Sequence, residues 1–131
     1  MTADLHYLAY SAVLTWIMLM AASLIRVKGW TPQGFLLGVS NRDNLPEASP
    51  IAARADRAAK NMLENMVLFA VVVLVARLGG VPAENVAPGA AIFFWARVVY
   101  FFVYLAGIPF LRTAVYFAAL AGLVMIMLAS H

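Results

Sequence analysis

Three groups of residues combine types and spacings that can do chemistry. Arg57, Asn61 and Glu64 follow i, i+4, i+7 spacing and Lys60 lies one turn before Glu64, so on a helix all four crowd one face, with Arg54 extending it outward. Arg97, Tyr100 and Tyr104 follow i, i+3, i+7 spacing and form a second stripe. Arg112 and Thr113 open a third group, with Tyr116 one turn beyond Arg112. If these stripes converge, they make a pocket rich in guanidinium and phenol with one carboxylate. The chain has no cysteine, so disulfides, thiolate metal sites and a cysteine nucleophile are excluded, and any thiol must arrive with a ligand.

The elements that must carry these groups follow from composition. Of 131 residues, 65% are hydrophobic and 11% charged. Soluble domains average roughly 45–50% apolar residues, and one of this size could not hide the surplus. The chain is therefore expected to be an all-α integral membrane protein, a single domain over residues 1–131. The formal charge of +3 is too small and too scattered for nucleic acid, and no basic stripe of the kind that tracks a phosphate backbone is present.

Four transmembrane helices are expected, over approximately 5–25, 54–78, 89–108 and 112–130. Residues 5–25 contain no Asp, Glu, Lys or Arg. Ala21, Ala22 and Ser23 leave a cleaved signal peptide as an alternative, but the start carries Asp4 and His6 in place of the usual cations. Arg26 to Pro50, rich in Gly, Pro and Asn, reads as a loop. In the second span only Asn65 to Ala76 is uncharged, so that helix begins with polar residues in or at the membrane. Gly79, Gly80, Pro82 and Pro88 mark a turn region, and the third span carries Arg97 inside it. Seven of the nine cations, Arg26, Lys28, Arg42, Arg54, Arg57, Lys60 and Arg112, fall on one side; Arg77 is opposite. Positive-inside bias then places the first and third loops in the cytoplasm and both termini outside.

Each group also has a structural reading. Arg57, Lys60 and Glu64 can form a local charge network at an interface. Arg97 can pair with Glu64 between helices. Tyr100, Tyr104 and Tyr116 can be belt aromatics, and Arg112 an orientation signal. His6 and His131 stand alone near the termini and make no metal site. Phosphate-loop and serine-nucleophile motifs are absent.

The stretch Arg54-Ala55-Asp56-Arg57-Ala58-Ala59-Lys60-Asn61-Met62-Leu63-Glu64-Asn65, with Arg97-Val98-Val99-Tyr100, Tyr104, Arg112-Thr113 and Tyr116, resembles the membrane-associated proteins in eicosanoid and glutathione metabolism, the MAPEG superfamily, in its short bacterial form. The resemblance covers nearly the whole chain. It implies a four-helix subunit in a homotrimer, with glutathione as co-substrate bound at the cytoplasmic side between subunits. Carried over, Lys60, Asn61 and Glu64 hold the tripeptide with Tyr100, Tyr104 and Tyr116, and Arg112 is the catalytic thiolate-stabilising arginine. Thr113 stands where the family's prostaglandin synthase has a serine, and Arg26 matches a first-helix arginine reaching the site from the adjoining subunit. Three departures stand out: the second helix lacks a proline after the glutamate, Tyr100 replaces a histidine, and Lys60 replaces an arginine.

Glutathione carries two carboxylates, an ammonium and a thiol, and Arg57, Lys60, Arg97, Arg112, Glu64, Asn61 and the phenols supply complementary groups. The function expected is a glutathione-dependent membrane transferase or peroxidase of the bacterial inner membrane, acting on a lipophilic electrophile or hydroperoxide that arrives through the lipid. The alternative is a non-catalytic lipid-binding or scaffold protein of the same fold. A transporter or channel lined by Arg97 and Glu64 is a third reading, weakened by the lack of an inverted repeat.

Overall fold

A computed structural model describes residues 1–43 and 45–130. Asn44, in the first loop, and His131, assigned no chemistry above, lie outside the described residues. The chain order is α1 (Ala3–Val27), α2 (Pro32–Val39), α3 (Pro50–Leu78), α4 (Ala83–Ala106) and α5 (Pro109–Ala129), with no strand among the described residues. α1, α3, α4 and α5 are each long and apolar enough to cross a membrane. They form a bundle in which α4 and α5 make the most extensive contact and α1 packs on both α3 and α4.

Local chemistry sets the ends of these helices. Ser49 caps α3 by accepting from Ala52 N–H at 3.2 Å, and Pro50 follows at the first helical position, where no N–H is needed. α1 ends at Lys28 and α4 at Gly107, both in the left-handed region with φ of 53° and 76°. Pro109 opens α5 at once, so the last connection is only Gly107 and Ile108. The fourth span therefore begins three residues before the expected 112, which puts Arg112 and Thr113 at the end of the first helical turn rather than at its start. The third span begins at Ala83 rather than 89 because Pro88 lies within α4, where it forfeits one backbone bond without ending the helix.

The first loop contains a helix that the Gly and Pro signals concealed. Thr31 caps α2 by accepting from Gly34 N–H at 2.9 Å, and Pro32 takes the first helical position. Gly34 presses α2 onto the end of α1: a Cβ there would stand 1.9 Å from the Lys28 carbonyl oxygen and 2.3 Å from that of Val27. The glycine that reads as a breaker is the residue that permits the docking.

Small residues bring the spans together. Ala55, Ala58 and Ala59 of α3 are buried, Phe69 stacks on Phe93 with ring centroids 4.0 Å apart, and Gly89 of α4 meets Gly122 of α5 backbone to backbone. At the end of the bundle away from the three motifs, Arg77 Nη1 lies 3.4 Å from Asp4 Oδ2, and the Thr2 hydroxyl donates to the other Asp4 oxygen. Asp4 is fully buried, so this pair fastens the start of α1 to the end of α3. Removing the cation leaves a buried carboxylate without its partner. Arg77→Ala is expected to lose about 3 kcal/mol of stability, read by unfolding in detergent, with Asp4→Asn restoring part of it.

Candidate functional site

A cavity of about 390 Å³ lies between α3, α4 and α5 and is lined by Asn61, Tyr100, Tyr104, Arg112, Thr113 and Tyr116, with Phe117 at its edge. The helical spacing accounts for the grouping. Tyr100 and Tyr104 are one turn apart on the buried face of α4, Asn61 comes from the inner side of α3, and Arg112, Thr113 and Tyr116 come from the opening turns of α5. Sequence reasoning missed only Phe117, an apolar residue among many with no distinguishing signal.

Tyr104 is the centre of this arrangement. Arg57 Nε donates to its hydroxyl oxygen at 3.1 Å, and the Arg112 guanidinium carbon lies 4.8 Å from its ring centroid. Because the Tyr104 hydroxyl accepts from Arg57, its own proton remains available to a ligand in the cavity. Tyr100 sits 5.4 Å from Tyr104 and 6.3 Å from Tyr116, ring to ring, so the phenols form one wall. The first turns of α5 add the positive end of a helix dipole to the guanidinium of Arg112.

Arg97 is placed behind that wall. It is fully buried, its guanidinium carbon is 4.2 Å from the Tyr100 ring centroid, and its Nε approaches Met62 Sδ at 3.2 Å. Nη1 and Nη2 find no hydrogen-bond partner among the described residues. The expected pairing of Arg97 with Glu64 is not formed: Glu64 is exposed, and the ion pairs among the described residues are Lys60 with Asp56 and Arg77 with Asp4. Rotation about the helix axis explains this, since Glu64 and Met62 lie two residues apart on α3 and Met62 takes the inward position.

Lys60 and Glu64 therefore stand on the exposed side of α3, Lys60 held by Asp56 at 2.9 Å, while Asn61 turns inward. Arg54 Nε donates to the Leu105 carbonyl at 3.2 Å and clamps α3 to the end of α4, outside the cavity. Arg26 lines a second cavity of about 410 Å³ between α1, the first loop and α3, together with Arg42 and Arg57. Arg42, which the sequence marked only as an orientation cation, folds back at φ 58° and donates to the Gly38 carbonyl at 3.0 Å and the Ser23 hydroxyl at 2.8 Å. Arg57 stands between the two cavities, lining one and bonding to a wall residue of the other.

Four lipid-length helices, three of which line a guanidinium and phenol cavity near one end, define an integral membrane protein with a polar cavity. The chain belongs to the MAPEG family, whose model matches residues 5–130. Membership associates it with membrane functions of the glutathione-linked transferase and peroxidase kind or related ones. No curated protein matches the chain.

Proposed function

We propose that the cavity between α3, α4 and α5 binds glutathione and that Arg112 holds its sulfur as the thiolate for attack on a lipophilic electrophile or hydroperoxide. The observation that carries this reading is the convergence of Asn61, Tyr100, Tyr104, Arg112, Thr113 and Tyr116 on one cavity, with guanidinium groups on two sides of Tyr104. Cations there suit the tripeptide's carboxylates, and Asn61, Thr113 and the Tyr104 proton suit its amides and sulfur. An arginine beside a thiol favours the ionised form, and each pKa unit of depression is about 1.4 kcal/mol of preferential stabilisation. In conjugation the sulfur lone pair forms the new S–C bond, and the acceptor's displaced electron pair takes a proton. The Tyr104 hydroxyl, already fixed by Arg57, is placed to assist.

Lys60 and Glu64 face away from this cavity, and Arg26 lines the other one. In a homotrimer they become useful together: the outer face of α3 meets a neighbour, and Arg26 of the partner subunit approaches the exposed Lys60 and Glu64. Arg97 then acts from behind Tyr100, holding the aromatic wall rather than touching the tripeptide. Both cavities lie at the cation-rich end of the bundle, and the positive-inside bias makes that end cytoplasmic in a bacterial inner membrane, with both termini outside.

Titrating glutathione into the detergent-solubilised protein in a calorimeter tests the reading. Saturable heat and a rise in unfolding temperature at millimolar ligand are expected. The absence of both heat and thermal shift would reject the site and favour the lipid-binding or scaffold alternative.

A further inference from the structure

We propose that α2 is an interfacial helix that seats its outward face in the head-group boundary of the bilayer. The polarity of α2 is inverted relative to a helix at a water-facing surface. Gly34, Leu37 and Gly38 turn inward toward α1, whereas Pro32, Phe35, Leu36 and Val39, at i, i+3, i+4, i+7, turn outward. Phe35, Leu36 and Val39 are 60%, 67% and 67% exposed. An outward stripe that is apolar apart from Gln33 at its margin, over a glycine-rich inner face, needs an apolar neighbour.

The position of α2 says which neighbour. It connects two spans, and it is pinned to the last turns of α1 by the close approach at Gly34 and by the hydrogen bond from Arg42 to Ser23. It therefore cannot leave the depth at which α1 exits the hydrocarbon. The outward side of α1 carries Val13, Trp16, Ile17, Met20 and Leu24, an exposed apolar strip of helical spacing that runs toward Trp30 and α2. Trp30 precedes α2, with Lys28 before it and Arg42 after it, the aromatic and cationic pairing suited to the head-group level. The charged outer positions of α3, Lys60 and Glu64, belong to a different surface, so this inference stands apart from the glutathione reading.

The chain's three tryptophans provide the test. Trp16→Phe with Trp95→Phe alters two exposed positions and leaves Trp30 as the sole tryptophan, whose emission is read with excitation that tyrosine does not absorb. In phosphatidylcholine and phosphatidylglycerol vesicles, lipids brominated near the head-group end of their chains are expected to remove roughly half of the Trp30 emission. Lipids brominated near the terminal methyl should quench less, and aqueous iodide very little. Adding Phe35→Asn and Leu36→Asn, both at mostly exposed positions, is expected to weaken the lipid quenching and admit iodide. Strong iodide quenching without lipid quenching in the Trp30-only protein would put the segment in water. Protection from both quenchers would mean that protein, such as a second copy, covers it. Either result overturns the proposal, as does a Phe35→Asn, Leu36→Asn protein indistinguishable from its parent.

Discussion

Arg112→Ala is expected, on the proposed glutathione reading, to cut turnover by about 10²–10³-fold, the usual consequence of removing one fixed donor from a developing or resident anion. The ultraviolet absorbance of enzyme-bound thiolate should disappear with it. The fold should survive, because Arg112 is only partly buried and its recorded contact is the face of Tyr104, worth about 1 kcal/mol. Arg112→Lys keeps the charge but loses the planar fork that can lie on the ring while reaching a ligand, so an intermediate loss is expected. Comparing thiolate absorbance with unfolding temperature separates mechanism from stability. A normal thiolate signal in the alanine variant would remove Arg112 from the chemistry.

The second large effect lies at the opposite end of the same two helices. A Cβ on Gly122 would stand 2.6 Å from the Gly89 carbonyl oxygen and 2.9 Å from Phe93 N, and a Cβ on Gly89 would stand 2.6 Å from the Gly122 carbonyl oxygen. These obstacles are backbone atoms, which cannot swing aside as a side chain would. Gly122→Val is thus expected to force α4 and α5 apart and to cost about 3 kcal/mol or more, measured as a lowered unfolding midpoint in detergent. Gly122→Ala should show a smaller loss in the same direction. A valine variant with the parent's midpoint would show that the two backbones are not in contact. The same two helices carry Tyr100, Tyr104, Arg112 and Tyr116, so the crossing also sets the spacing of the cavity wall.

The sequence was most informative where a physical rule acts over many residues. Long stretches without charge identify the first and fourth spans because a charge in lipid is expensive, whereas the second and third, which carry charges, were legible from apolar runs bounded by turn signals. Helical spacing likewise gathered Tyr100 with Tyr104, and Arg112 with Tyr116, because one turn fixes their relative direction. It could not fix the rotation of one helix against another. Asn61 and Lys60 are neighbours in the chain but about 100° apart around α3, and only the packed bundle shows which turns inward. The same ambiguity made Arg97 and Glu64 look like partners when Arg97 faces Met62 and Tyr100. α2 was hidden because proline and glycine usually interrupt helices, whereas here one begins the helix and another permits its docking. The pairing of Asp4 with Arg77 joins residues far apart in sequence, and no local pattern announces it.

That last contact bears on biogenesis. A nascent chain synthesised only as far as α2 has a carboxylate at the head of its first helix and lacks the guanidinium that meets it in the folded bundle. The countercharge arrives only when the far end of α3 has been made. The segment from α1 through α3 is therefore the smallest piece in which Asp4 meets its countercharge, and a chain ending before Arg77 forms α1 without that fastening.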